Sequence, residues 1–159
     1  MRKRSKYKPK KVLLNPMGFV LEGMTPARAH SKIMLDLRIR HHAAMTSLTK
    51  GTATHHDIDT LIASMNMTEA FYRLGVGREY NNEIRDALNA IRELQARGAD
   101  SGRFILRAAE MQAINEALAI HDAQLEVVTI KDMENAINIV NKELQQLREA
   151  IKKEKRNEC

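Results

Sequence analysis

The chain has no tryptophan, and only three phenylalanines and three tyrosines are spread over its 159 residues. With strand-forming aromatics so sparse, and Ala, Leu, Ile, Met, Glu, Arg and Lys dominant, the composition favours an all-α fold. A single cysteine, Cys159, excludes an intrachain disulfide and any cysteine-based zinc site; as a lone thiol it suits a reducing cytoplasm. No apolar run approaches the 18 or so residues of a membrane-spanning helix. Val12-Leu13-Leu14 stops at Asn15-Pro16, too short for the apolar region of a signal peptide.

Catalytic signatures are also missing. Ser5, Ser31, Ser47, Ser64 and Ser101 lie in no Gly-x-Ser-x-Gly elbow. Gly75-Val76-Gly77 lacks the third glycine and the preceding strand of a dinucleotide-binding turn, and there is no His-Glu-x-x-His pair for zinc. The paired carboxylates, Asp57 with Asp59 and Glu110 with Glu116, fit helix surfaces. The expectation is a non-enzymatic protein with no cofactor and no metal.

What is present is length, charge and helical periodicity. A chain of this size suits one domain with a sizeable core. Its formal charge of +6 is concentrated at one end. Residues 1–11 hold Arg2, Lys3, Arg4, Lys6, Lys8, Lys10 and Lys11 with no acid, and the remaining 19 basic residues face 20 acids. The body is therefore near neutral and the arm strongly basic. Like charges and Pro9 favour an extended arm, and its chemistry fits nucleic-acid phosphates. If all seven cations met duplex phosphates, the log–log salt slope would be about −6. Tyr7 alone is available for stacking, so a single-strand platform is poorly served.

Residues 12–26 read as an apolar connector. Pro16, Gly18, Gly23 and Pro26 interrupt regular structure, while Leu13, Leu14, Met17, Phe19, Val20 and Leu21 need something to cover them. Residues 27–159 then read as a helical bundle domain. A first helix runs from the early thirties to Leu48, with Gly51 after its end. Thr54 caps a second, with Asp57 three residues on, and this helix stops at Leu74-Gly75. A third spans about 78–97, and a fourth opens at Asp100 or Ser101 with Phe104, Ala108, Met111, Ile114, Leu118 and Leu125 on its seam. The fifth, capped by Thr129 with Asp132, carries Ile130, Met133, Ile137, Val140, Leu144, Leu147 and Ile151 at alternating spacings of 3 and 4, an a/d heptad seam. Five amphipathic helices with short turns predict an antiparallel bundle with the first half of the last helix as its spine and the stretch beyond Leu147 left as a contact surface. Lys152, Lys153, Lys155 and Arg156 crowd that helix's C-terminal end, where cations suit the exposed carbonyls.

Two local patterns have competing readings. Leu74-Gly75-Val76 resembles the turn of helix-turn-helix proteins, but Phe71 stands where that motif wants a small residue and Asn81 where it wants an apolar one. A glycine-terminated helical hairpin fits better. The histidines come in pairs, His41-His42, His55-His56 and His121-Asp122, and the first two pairs could meet across the first hairpin. Adjacent histidines diverge on a helix and make poor chelators, so these are expected to be structural or surface residues.

Arg2–Lys10, Asn15-Pro16-Met17-Gly18 and the run from Ala113 to Gln124 resemble small all-helical proteins encoded by tailed phages and prophages of Gram-negative bacteria. The resemblance covers most of the chain. It implies the cytoplasm of an infected cell and a non-enzymatic regulatory or host-interaction role, and carries no residue roles with it. The leading expectation is a regulator whose basic arm, seconded by Lys152, Lys153, Lys155 and Arg156, contacts nucleic acid. The alternative is a host-takeover factor that blocks a bacterial protein through Leu13, Leu14, Met17, Phe19, Leu147 and Ile151. A second copy of the chain is a further partner to consider, and no membrane is expected.

Overall fold

The computed structural model describes residues 16–99 and 101–157, and within them regular structure is helical throughout, with one isolated β-bridge. Six α-helices follow in order: α1 (Pro16–Gly23), α2 (Ser31–Thr49), α3 (His55–Arg73), α4 (Asn81–Gly98), α5 (Ala108–Val127) and α6 (Ile130–Asn157). One-turn 3₁₀ segments at Ala27–Ala29 and Arg78–Tyr80 lead into α2 and α4. Among these residues no helix is long and apolar enough to cross a membrane.

Capping explains several boundaries. Thr54 Oγ1 accepts the Asp57 amide while the Asp57 carboxylate accepts the Thr54 amide at 2.8 Å, a reciprocal box that starts α3. Thr129 and Asp132 repeat it at α6, with distances of 2.9 and 3.2 Å. Between α3 and α4 the chain turns through Gly75 and Gly77, both at positive φ (100° and 76°), a region that glycine enters without strain. The Val76 amide donates to the Phe71 carbonyl and the Gly75 amide to Tyr72, closing α3 in a Schellman-type turn.

Three expectations need correction. The connector is not irregular throughout: Pro16 opens α1, because proline at the first position of a helix loses nothing. One more helix is therefore present than expected. The helix expected to open at Asp100 or Ser101 starts instead at Ala108, where Glu110 Oε2 accepts the Arg107 amide at 2.9 Å. Residues 103–107 run without helix, and this lets Phe104 turn back onto α4. Its ring occupies the space beside Gly98 that a side chain would fill. Nor is α6 the spine. The helix at the centre is α3, which touches α2, α4, α5 and α6, whereas α6 lies chiefly on α3 and α1.

The core falls into two apolar clusters. One joins Ala44, Met45 and Leu48 of α2 to Ile58, Leu61 and Met65 of α3, the buried face of α4, Phe104, and Ile114, Ala117 and Leu118 of α5. The other joins Ala27, Ala70, Phe71, Leu125, Val128 and Ala136, with Met34, Leu37, Met133, Ile139 and Val140 around them. His41, Thr68, His121 and Gln124, all buried, come from the α2, α3 and α5 positions between the two clusters. The chain entering α2 is fastened to the α5–α6 turn by the Pro26–Thr129 bridge, with Ala27 N–H to Val128 C=O and Ile130 N–H to Thr25 C=O, both 2.9 Å.

Candidate interaction surfaces

The α6 helix has two unlike halves. Near its start, Ala136 is fully buried against the second cluster, with Met133, Ile139 and Val140 packed around it. The face turned to α3 is thus centred on Ala136 and not on the a/d seam. Ile137 and Leu144 fall to one side of it, about 45% and 40% exposed. They line a groove of about 520 Å³ between α3 and α6 with Ile62, Met67 and Val140, closed at its polar rim by Asp59, Asn66, Asn141 and Arg148. Beyond Val140 every described side chain of α6 is exposed, including Leu147 at 58% and Ile151 at 43%. Lys152, Lys153 and Arg156 follow on this solvent-facing end. The far half is anchored by Arg73 of α3, whose guanidinium holds Glu69 at 2.8 Å and also bonds Glu143, both contacts raising its pKa.

The second surface is α1. Met17, Val20, Leu21 and Met24 are all more than half exposed, although α1 leans on α6 at Gly23 and Lys131. A groove of about 580 Å³ lies here, lined by Val20, Gly23, Met24 and Ile130, with Glu22, Lys131 and Glu134 at its edge.

The third feature is the buried polar layer. Thr68 Oγ1 donates to the Ser64 carbonyl at 2.9 Å and lies 3.0 Å from His121 Nδ1. A hydroxyl has one proton, so His121 holds its own on Nδ1 and donates it to Thr68. Its Nε2 is then a buried acceptor with no partner among the described residues. The His41 ring sits 5.1 Å away on one side and Phe71 6.1 Å on another. Burial, reinforced by His41, Arg38 and His42, pushes the His121 pKa down to about 3. Burial also lowers that of His41, against a partly offsetting Asp122. Gln124 Nε2 donates to the carbonyls of Val76 (2.9 Å) and Thr68 (3.3 Å), tying the α3–α4 turn to α5. At the surface above, Asp122 Oδ2 meets His42 Nε2 at 2.8 Å, and Arg38 reaches the Asp122 carbonyl and Glu126.

The expected site residues therefore separate. Arg2, Lys3, Arg4, Lys6, Lys8, Lys10, Lys11, Leu13 and Leu14 lie outside the described residues, as do the side chains of Phe19 and Lys155. Met17 is on α1; Leu147, Ile151, Lys152, Lys153 and Arg156 share the far half of α6. The histidine pairs meet differently from expectation: His41-His42 faces His121-Asp122, while His55 packs edge-on against Phe104 at 5.0 Å. Among the described residues no cluster of three or more His, Cys, Asp or Glu is placed to hold a metal ion. Sequence reasoning missed Thr68 and Gln124; both stand at core spacing on α3 and α5, and a polar residue on an apolar stripe was the available signal. No family model, curated protein or solved structure matches this chain.

Proposed function

We propose that the protein is a non-enzymatic regulatory or interaction factor that contacts nucleic acid through its basic ends. In this reading the helices form an antiparallel bundle that carries an extended arm, and Arg2, Lys3, Arg4, Lys6, Lys8, Lys10 and Lys11 bind phosphates. The observation that supports it is charge segregation. Seven cations without an acid precede a body of near-zero net charge. A second basic group, Lys152, Lys153 and Arg156, is exposed at the far end of α6. Such sequence-independent electrostatic contact is strongly salt dependent.

The test is fluorescence anisotropy with labelled duplex DNA and duplex RNA between 50 and 200 mM salt. Removal of residues 1–11 is expected to abolish binding. Reversal of Lys152, Lys153 and Arg156 to Glu is expected to reduce the salt slope by about 3. Binding that is absent at low salt, or unchanged on removing the arm, refutes the reading.

The exposed apolar side chains of α1 favour a second reading, in which the protein docks on and blocks a bacterial protein through Met17 and its neighbours, with Leu147 and Ile151. A stoichiometric protein partner that survives nuclease treatment, and is lost on Met17→Asp with Leu21→Asp, would favour it over the first.

A further inference from the structure

The a/d seam of α6 leaves a run of large apolar side chains exposed among the described residues. Packing on α3 uses Met133, Ala136 and Val140, and the seam positions Ile137, Leu144, Leu147 and Ile151 stay between 40% and 58% exposed. Four such side chains at spacings of 7, 3 and 4 lie on one stripe, about 22 Å long by helix rise. The upper end of the stripe opens into the groove that Ile62, Met67 and Val140 complete. A helix laid along it would cover the groove and the stripe together.

We propose that the occupant is α6 of a second copy, in parallel, forming a two-fold dimer. Three features select it. The stripe is self-complementary in residue type, with Ile137, Leu144 and Ile151 at a and Val140 and Leu147 at d, a β-branched-a, Leu-d tendency that suits parallel pairs. Charge at the centre of the stripe suits the parallel direction. In a parallel pair each g position faces the next e position of the partner helix, which sets Glu143 opposite Arg148. Arg73 engages Glu143 through Oε1, one of its two carboxylate oxygens. An antiparallel pair would match g with g, setting Glu143 against Ala150, so only the parallel pair gives Glu143 a basic partner at the centre of the stripe. Finally, the exposed g residue Ala150 lets two backbones approach closely along the far half of the stripe. The dimer is isologous, so each copy both offers and fills the groove. This inference does not rest on the nucleic-acid reading.

The test is analytical ultracentrifugation of the full chain from 1 to 200 µM. The wild-type protein is expected to dimerise. Leu147→Asp with Ile151→Asp, on the exposed far half of α6, is expected to give a monomer with unchanged helical circular dichroism. Arg148→Glu, which sets Glu against Glu143, is expected to weaken dimerisation at least tenfold. Orientation is read by Glu154→Cys in a Cys159→Ser background: a parallel pair brings the two residues at d together and oxidises to a disulfide-linked dimer. A wild-type monomer at 200 µM overturns the proposal. So does a dimer that persists in the Leu147/Ile151 double variant, or a dimer that fails to cross-link at residue 154.

Discussion

Replacing His121 by Asn should flatten the acid sensitivity of the fold, and the size of the effect follows from the polar layer. The folded protein keeps His121 neutral, with a proton on Nδ1 toward Thr68 and a bare Nε2 facing apolar and imidazole neighbours. Protonating Nε2 would place a cation beside His41, His42 and Arg38, with no acceptor for the new N–H among the described residues. Asp122 is the nearby acid, and it is engaged with His42 and Arg38. The folded pKa, about 3, lies below the ordinary 6.5. The contribution is thus fully present above pH 6.5 and is lost as pH falls from there toward 3, at about 1.4 kcal/mol per pH unit. Between pH 7 and pH 5 that amounts to about 2 kcal/mol. Asp57 and Glu110 are held below the usual carboxylate range by Thr54 and by Arg97 with the Arg107 amide, and Glu110 is so held despite its own burial. Their losses begin below pH 5, outside this window. Burial lowers the His41 pKa as well, so the variant should keep part of the slope. The assay is urea unfolding at pH 7.0, 6.0 and 5.0. The wild-type midpoint should fall by about 1 M over this range, for an m-value near 2 kcal/mol/M, beyond whatever fall the variant shows. His121→Asn will be less stable at pH 7, and that does not matter: the pH dependence is the readout. If wild type and variant lose the same stability from pH 7 to pH 5, His121 is not the buried neutral group described.

Two further substitutions probe packing. In Gly98→Ala the new Cβ would lie 2.3 Å from Phe104 Cδ1. Glycine to alanine in a helix ordinarily gains about 1 kcal/mol, so a loss of about 1–3 kcal/mol by overpacking reverses the expected sign; a thermal melt decides it, and a raised midpoint would refute the Phe104 placement. Ala136→Leu forces three extra heavy atoms into a fully buried site beside Ala70 and Phe71. It should cost about 1–3 kcal/mol and speed amide exchange across residues 130–140 while leaving α4 protected; uniform exchange changes would refute it.

What could be read from the chain alone was local. The capping boxes at Thr54 and Thr129 depend on residues three apart, and both are where the sequence puts them. The ends of α2 and α3 follow from Gly51 and Gly75 in the same way. The errors arose where distant packing decides. Ser101 and Asp100 looked like a helix start, but a helix beginning there would carry Phe104 away from Gly98, and burying that ring outweighs a cap worth about 1 kcal/mol. The seam of α6 was plain, yet its burial was not, because an alanine at a g position lets α3 approach on a neighbouring face. The histidines were noticed as pairs, but partners 80 residues apart on α2 and α5 leave no spacing signal. As for sites, the α6 residues were legible as a stripe, whereas α1 was hidden by reading Pro16 as a breaker.

The polar layer also determines how far a disturbance can travel. Among the described residues α2, α3 and α5 pass through it; the α4 face and Phe104 belong to one cluster, and Ala136 with its α6 neighbours to the other. A disturbance at Ala136 meets Phe71 and Leu125 first, and a row of directed hydrogen bonds before Leu94 or Ile114, whereas an occupant of the α3–α6 groove meets Ile62, which packs on the α4 cluster itself. Side chains in van der Waals contact can shift by tenths of an ångström and pass strain on, whereas Thr68, His121 and Gln124 keep their bonds only within a narrow geometry. The layer therefore insulates on one side alone: the Ala136 neighbourhood can accept substitutions without the α4 half having to repack, while an occupant of the groove is felt by both clusters through Ile62.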